Sequence, residues 1–305
     1  MKLLFIILFL FVVDIYFYTG TISTITKFFN NPIIYKLVYW FLSIAVYVVI
    51  IYISITYTRT TPSIRLNNNV IFTSLIGVLF ISKLIGSIPL IIDDILRLFK
   101  AITSLFNTSY SIHDVKRLDF LKKSALLFSG VLFSTLLIGM KWGRYNFKKN
   151  YQDIFINDWP VALNNYKIIH ISDLHLGSFN DVDKFNEAIE MINAENADLV
   201  VFTGDLVNNY HEEAIPYIDA LKKIKSKDGK LSILGNHDYC DYVMLKRDSQ
   251  EWKTNFKKLL ELEKEVGFDL LLNESRVISK GENKFNIVGV ENWGAGNFNK
   301  DGDLD

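Results

Sequence analysis

Six residues in the second half of this 305-residue chain have the types and spacing to do chemistry on a metal ion: Asp173 and His175, then Asp205, then Asn236, His237 and Asp238. Two carboxylates, an imidazole and a neutral amide oxygen make a mixed N/O donor set. Such a set suits Mn, Fe, Zn or Mg rather than soft copper. No thiolate is required. Cys240, the only cysteine, falls outside the pattern and excludes an intramolecular disulfide framework.

Short apolar runs must position these groups. Tyr166 to Ser172 reads as a strand that leads into Asp173-Leu174-His175. Asp198 to Thr203 leads into Gly204-Asp205, and Lys230 to Leu234 into Gly235-Asn236-His237-Asp238. Amphipathic patterns at Val182 to Asn193, Glu212 to Lys225 and Gln250 to Val266 read as helices. Further strand-like runs fall at Phe268 to Leu272 and Phe285 to Val290. Strand–helix alternation of this kind predicts an α/β domain. Asp173 to Asp205 is 32 residues and Asp205 to Asn236 is 31. Each step is one βαβ unit, which takes about 30 residues. All three clusters therefore return to the carboxyl edge of one sheet, where α/β folds bind ligands. Gly204 and Gly235 allow sharp turns at strand ends where a side chain would crowd the site.

The order D-x-H, then GD, then GNHD resembles the motif set of the calcineurin-like metallophosphoesterases. The match extends through Ile171-Ser172-Asp173-Leu174-His175-Leu176-Gly177, Thr203-Gly204-Asp205-Leu206 and Leu234-Gly235-Asn236-His237-Asp238-Tyr239. It is most similar to a membrane-anchored bacterial branch, in which a segment like Gly289-Val290-Glu291-Asn292-Trp293-Gly294 recurs. The resemblance implies a four-layer αββα sandwich and a site for two divalent ions, Mn, Fe, Zn or Mg. It implies that Asp173 and His175 hold the first ion, Asp205 bridges both, and Asn236 holds the second. His237 would face the phosphate and Asp238 would orient His237. The implied reaction is in-line displacement at a phosphate ester, with a monoester or diester as substrate. The family pattern continues with a lone His and a Gly-His-x-His, whereas no histidine follows His237 here. The expectation is therefore a C-terminally truncated, incomplete sandwich with little or no hydrolase activity of its own. The alternative is a non-catalytic membrane protein that uses a degenerate phosphoesterase domain for binding.

Other candidates read as structural. His170 lies within the first strand and points away from the Asp173 side or into the core. His211 reads as a solvated helix start ahead of a substrate role, Asn208 and Asn209 as caps ahead of substrate contacts, and His113 as a solvent-facing loop residue. Glu291 and Trp293 are candidates for the pocket rim. The lysines from Lys222 to Lys230 read as a solvated helix end.

The first half has another character. Apolar runs at Leu3 to Tyr18, Ile33 to Tyr57, Val70 to Ile92 and Ser124 to Met140 read as four membrane spans. The first contains Asp14 and reads as an uncleaved span rather than a signal peptide. Lys83 is expected to snorkel or to pack inside the bundle, Asp93 and Asp94 to end the third span, and Pro89 to kink or end that helix. Basic residues fall 7 on one side and 8 on the other, so charge sets no orientation. The organisation expected is a membrane domain at 1–140, a basic linker at 141–158 and a phosphoesterase domain at 159–305. With 33 basic and 33 acidic residues the chain is neutral, and no nucleic-acid partner is implied. A multi-pass protein of a bacterial inner membrane suits a lipid-linked phosphate ester as substrate, with membrane lipid as the other partner.

Overall fold

The structure, a computed structural model, describes residues 2–27, 32–57, 62–104, 115–243, 245–294 and 299–303. His113 lies outside the described residues. The chain divides into two compact units, Met1–Arg144 and Tyr145–Asp305.

The first unit is helical: α1 (Lys2–Ile25), α2 (Pro32–Tyr57), α3 (Pro62–Gly86), α4 (Ile88–Ser104) and α5 (Val115–Trp142). Among the described residues, four stretches are long and apolar enough to cross a bilayer: Leu3–Ile25, Ile33–Ile55, Phe72–Thr103 and Asp119–Tyr145. The sequence pattern ends the third span near Ile92, but its helices run on to Ser104. Pro89 takes the second position of α4, where a missing N–H costs nothing, so the break falls at Ser87. Asp93 and Asp94 consequently sit inside α4. Asp93 pairs with Arg97 at 2.8 Å, and Asp94 accepts from the Tyr16 hydroxyl at 2.6 Å.

Asp14 is fully buried among these helices. Lys83 Nζ lies 2.5 Å from its Oδ1, and Tyr39 and Tyr47 both donate to its carboxylate. Ser43 Oγ is 3.4 Å from the ammonium, and the Tyr39 ring lies 4.6 Å from it. Lys83 thus packs inside the bundle, and each ion is kept there by the other, because a lone buried charge would be very costly.

The second unit is built on a parallel sheet in the order β1 (Ile168–Ile171), β2 (Leu199–Phe202), β3 (Lys230–Ser232), β4 (Asp269–Leu270). Side chains alternate across it. Val200 and Phe202 face the helices with Phe185, Ile189, Leu221 and Leu259, while Leu199 and Val201 face the other way with Leu231, Leu271 and Ile278. Helix α6 (Val182–Asn193) starts where the Asp181 side chain accepts the Lys184 N–H, and buries Phe185, Ala188 and Ile189 on one stripe. Helix α8 (Gln250–Glu265) starts at Ser249, which caps the Trp252 N–H. The helix expected from Glu212 to Lys225 is instead two 3-10 turns and the single turn α7 (Ile218–Leu221). Pro216 interrupts the hydrogen-bond ladder there. The second face of the sheet is covered by an antiparallel hairpin, β5 (Glu274–Lys280) and β6 (Asn283–Gly289). Its first strand, Glu-Ser-Arg-Val-Ile-Ser-Lys, shows no alternation of apolar and polar residues, and the sequence pattern predicts no strand there. Residues 145–151 fasten to this unit. The Tyr145 hydroxyl donates to Asn180, and Lys149 and Tyr151 both reach Glu195.

Candidate metal centre

The three motif loops meet beyond the carboxyl ends of β1, β2 and β3, laced together through backbone bonds. The D-x-H loop donates three N–H groups to the GD loop: Asp173 to Gly204 O (3.1 Å), His175 to Asp205 O (2.9 Å) and Leu176 to Leu206 O (3.0 Å). The GD and GNHD loops are bound by Asp238. Its fully buried carboxylate accepts the N–H groups of Asp205 (2.7 Å), Leu206 (2.9 Å), Val207 (3.3 Å) and Gly235 (3.0 Å). Burial pushes this carboxyl above the ordinary range, and the amide donors of Gly235, Val207 and Asp205 oppose that push.

Close approach explains the glycines. A Cβ on Gly204, whose φ is +88°, would lie 2.0 Å from the Gly235 nitrogen. A Cβ on Gly235 would lie 2.3 Å from Asp205 Oδ1. Three of the motif residues pay conformational strain to reach the site. Asp173 (φ 55°), His175 (φ 45°) and Asp205 (φ 58°) are all left-handed, a region that non-glycine residues seldom occupy.

The side chains converge. Donor atoms of His175, Asp205 and His237 lie within 4.8 Å of one another. His175 Nε2 is 3.7 Å from Asp205 Oδ2 and 3.9 Å from Asp173 Oδ1. Those gaps are too long for hydrogen bonds and short enough for the three groups to share a cation. Asp205 Oδ1 accepts the His237 N–H at 2.8 Å, and each carboxylate oxygen keeps a further lone pair. Asp173, 66% exposed, is held by the hydroxyl of Ser172. The ring of His237 stands edge-on to that of His175, with centroids 4.6 Å apart. The donor set is oxygen and imidazole only, and a divalent cation fits it. His175, Asp205 and His237 bring donor atoms together, Asp173 stands beside His175, and the Asn236 side chain is bonded through Nδ2 to the Tyr242 hydroxyl. Cys240 is buried, its thiol pushed up to about 12 by that burial, and it takes no part.

His237 departs from expectation in one respect. Its Nδ1 lies 2.8 Å from the Asn208 carbonyl, so Nδ1 carries the proton and donates, and Nε2 is left to give or take one. The orienting partner is that carbonyl, not Asp238, whose oxygens are committed to the backbone amides. The reason is geometric: a GNHD turn folded against Gly204 sends Asp238 under the loop and His237 over it.

Sequence reasoning missed what holds Asn208. The Glu213 carboxylate accepts the N–H groups of Asn208 (2.6 Å), Asn209 (3.1 Å) and Tyr210 (3.0 Å), and burial raises its pKa against those bonds. Asn208 and Asn209 are thus captured through their backbone rather than acting as caps. Gly177 packs so tightly here that a Cβ would meet Glu213 Oε2 at 2.3 Å. His211 is buried, not solvated, and is bound to Asn255 of α8 through Nδ1 (2.8 Å) and its backbone N–H (2.9 Å). His170 is exposed, neither in the core nor at the centre, and contacts Thr203 Oγ1 at 2.8 Å. Glu291 takes the Tyr239 hydroxyl (2.5 Å) and Asn273 (2.7 Å), and so braces the GNHD loop from behind. Trp293 is half exposed and bridges to Lys300.

N/O donors gathered at the carboxyl edge of a parallel α/β sheet make a candidate metal-binding domain. Residues 166–304 match the family model for the calcineurin-like phosphoesterases, and residues 1–144 match that described as a probable calcineurin-like phosphoesterase transmembrane domain. The chain's second half thus belongs to the calcineurin-like phosphoesterases and its first half carries that family's probable transmembrane domain, which makes the chain a multi-pass membrane protein. An uncharacterized metallophosphoesterase of Helicobacter pylori is 29% identical over 140 residues, 45% of this chain and 37% of the relative. The uncharacterized metallophosphoesterase YkoQ of Bacillus subtilis is 28% identical over 166 residues, 51% and 56% respectively. A zebrafish protein (Danio rerio) named as a transmembrane protein with metallophosphoesterase domain is 31% identical over 87 residues, 28% of this chain and 20% of the relative. The chain therefore spans between a fifth and about half of the length of these relatives. No solved structure matches it.

Proposed function

We propose that the protein hydrolyses phosphate esters presented at the membrane, with a two-ion centre on Asp173, His175, Asp205 and Asn236 and with His237 as its proton-transfer group. The single observation that carries this reading is the meeting of His175, Asp205 and His237 within 4.8 Å at the carboxyl edge of the sheet. Divalent ions, when bound, supply Lewis acidity toward the phosphoryl oxygens and toward water.

The chain's own residues do the rest. Asp205 offers two oxygens in different directions, Oδ2 toward His175 and Oδ1 toward the His237 backbone, as a bridging carboxylate must. His237, proton-fixed at Nδ1 by Asn208, presents Nε2 to the ester. Protonated, it gives its proton to the leaving oxygen as the P–O bond breaks, and is left neutral. The strained loops are held by the Asp238 and Glu213 cages, so the donors are in place before substrate arrives. Anchoring by several spans favours a lipid-linked ester over a freely diffusing one.

The full chain in detergent tests this. Mn2+ should bind, and Asp205→Asn should weaken it by about 10-fold or more, as loss of a ligand does. Hydrolysis of a p-nitrophenyl phosphodiester or monoester, whatever its rate, should stop in Asp205→Asn. It should fall at least about 100-fold in His237→Ala, with Mn2+ binding retained. Mn2+ affinity unchanged in Asp205→Asn would overturn the reading.

A further inference from the structure

We infer that Tyr242 is a positioning residue of this centre, holding both Asn236 and His237 in their working orientations; the inference rests on the metal-centre reading above. Two contacts carry it. The Tyr242 hydroxyl accepts a hydrogen bond from Asn236 Nδ2 at 2.6 Å. Its ring stacks face to face on His237, with centroids 4.2 Å apart and planes 17° from parallel. One side chain therefore touches the neutral oxygen donor and the proton-transfer imidazole together.

The chemistry requires such a partner. The two ends of an asparagine amide are almost the same size but opposite in polarity, and only the oxygen end can serve a cation. With Nδ2 bonded to the Tyr242 hydroxyl, as in the structure, the oxygen end is turned from Tyr242 and is available to a cation. His237 has a matching problem. Its Nδ1 bond to Asn208 still allows the ring to rock about that bond, and a rocking Nε2 misses the ester oxygen. Tyr242 against the face and His175 against the edge remove that freedom.

Tyr242 is itself fixed in place. It lies in a 3-10 turn, Asp241–Val243. Arg247 grips the Asp241 carboxylate with two nitrogens at 2.9 and 2.5 Å and reaches Asp301 at 2.5 and 3.1 Å. The same guanidinium lies 4.7 Å from the Tyr239 ring. A bidentate double clamp of this kind sets a turn rigidly. Tyr242 remains 47% exposed and belongs to neither buried apolar cluster of its unit.

The test compares Tyr242→Phe and Tyr242→Leu with the parent full chain. Mn2+ affinity is read by electron paramagnetic resonance titration, and the unfolding midpoint is read alongside. Tyr242→Phe keeps the stack and loses the hydroxyl, so Mn2+ should bind roughly 10-fold more weakly. Tyr242→Leu also loses the stack. The imidazole resonances of His237 should broaden or shift in Leu and stay in place in Phe. The unfolding midpoint should be unchanged in both. Parental Mn2+ affinity in Tyr242→Phe, with Asp205→Asn still weakened, overturns the role of Tyr242 and leaves the centre standing. Parental affinity in Asp205→Asn as well overturns the centre itself. A lowered midpoint with unchanged affinity marks Tyr242 as a packing residue and also overturns the inference.

Discussion

At the scale of single residues, Asp238 shows how a motif can be read correctly and its physics misassigned. Its place beside His237 suggests a carboxylate that orients a histidine. In the structure its two oxygens gather four backbone N–H groups from two loops and hold them together. Asp238→Ala would leave those donors buried and unpaired, at a cost of about 3 kcal/mol or more. In a unit of this size that is a drop of roughly 6–12 °C in the unfolding midpoint, measurable by calorimetry of the full chain. Asp238→Asn should fare little better, since its amide brings donors to a cage of donors. A folded Asp238→Asn protein with an altered pH–rate profile and an unchanged midpoint would restore the orienting role. The motif residues are legible because chemistry restricts their types. Asn208, Glu213 and Tyr242 act through a carbonyl, a backbone cage and a stack, and no residue pattern announces those.

At the scale of elements, strands β1 to β3 are legible because each is a short apolar run closed by a turn. Helix α6 is legible from its apolar stripe. The failures have physical causes. Strand β5, Glu274–Lys280, covers one face of the sheet with Ile278 as its one buried residue, so its pattern looks like a loop. Helix α7 shrinks to one turn because Pro216 stands in its way. Helix α8 is legible as a helix but not for what it buries. Glu263 lies fully buried under β3, with Ser232 Oγ 3.0 Å from one oxygen and the Asp238 carboxylate as its charged neighbour. Burial and that neighbour push its pKa from 4.5 to about 8. A raised acid favours the folded state most below the unfolded value. The folded protein keeps this proton between about pH 4.5 and 8 while the unfolded chain gives it up. Stability should therefore fall as pH rises through that window, by up to about 1.4 kcal/mol per pH unit. Glu263→Gln should flatten the fall. Urea melts of both proteins at pH 5, 6.5 and 8 check it, and parallel slopes would refute it.

At the scale of the whole molecule, half of the chain is committed to a bilayer, and the pair of Asp14 and Lys83 says how that half comes to be built. Asp14 stands near the middle of α1, and its counter-ion is 69 residues further along the chain. An aspartate at the centre of a single span opposes insertion by about 2.5–3.5 kcal/mol. A nascent chain that has emerged only as far as α2 offers Tyr39 and Tyr47 to that carboxylate but no positive charge. Translation past Lys83 supplies it. The expected outcome is that α1 alone is held weakly by a bilayer and that α3 strengthens its hold. Nascent chains arrested before residue 83 should yield α1 to alkaline extraction, and chains arrested after α3 should resist it. Lys83→Leu should behave as though α3 had never arrived. The charge pair then ties two helices that are far apart in the chain, since Asp14 is left without its cation in any chain that lacks Lys83.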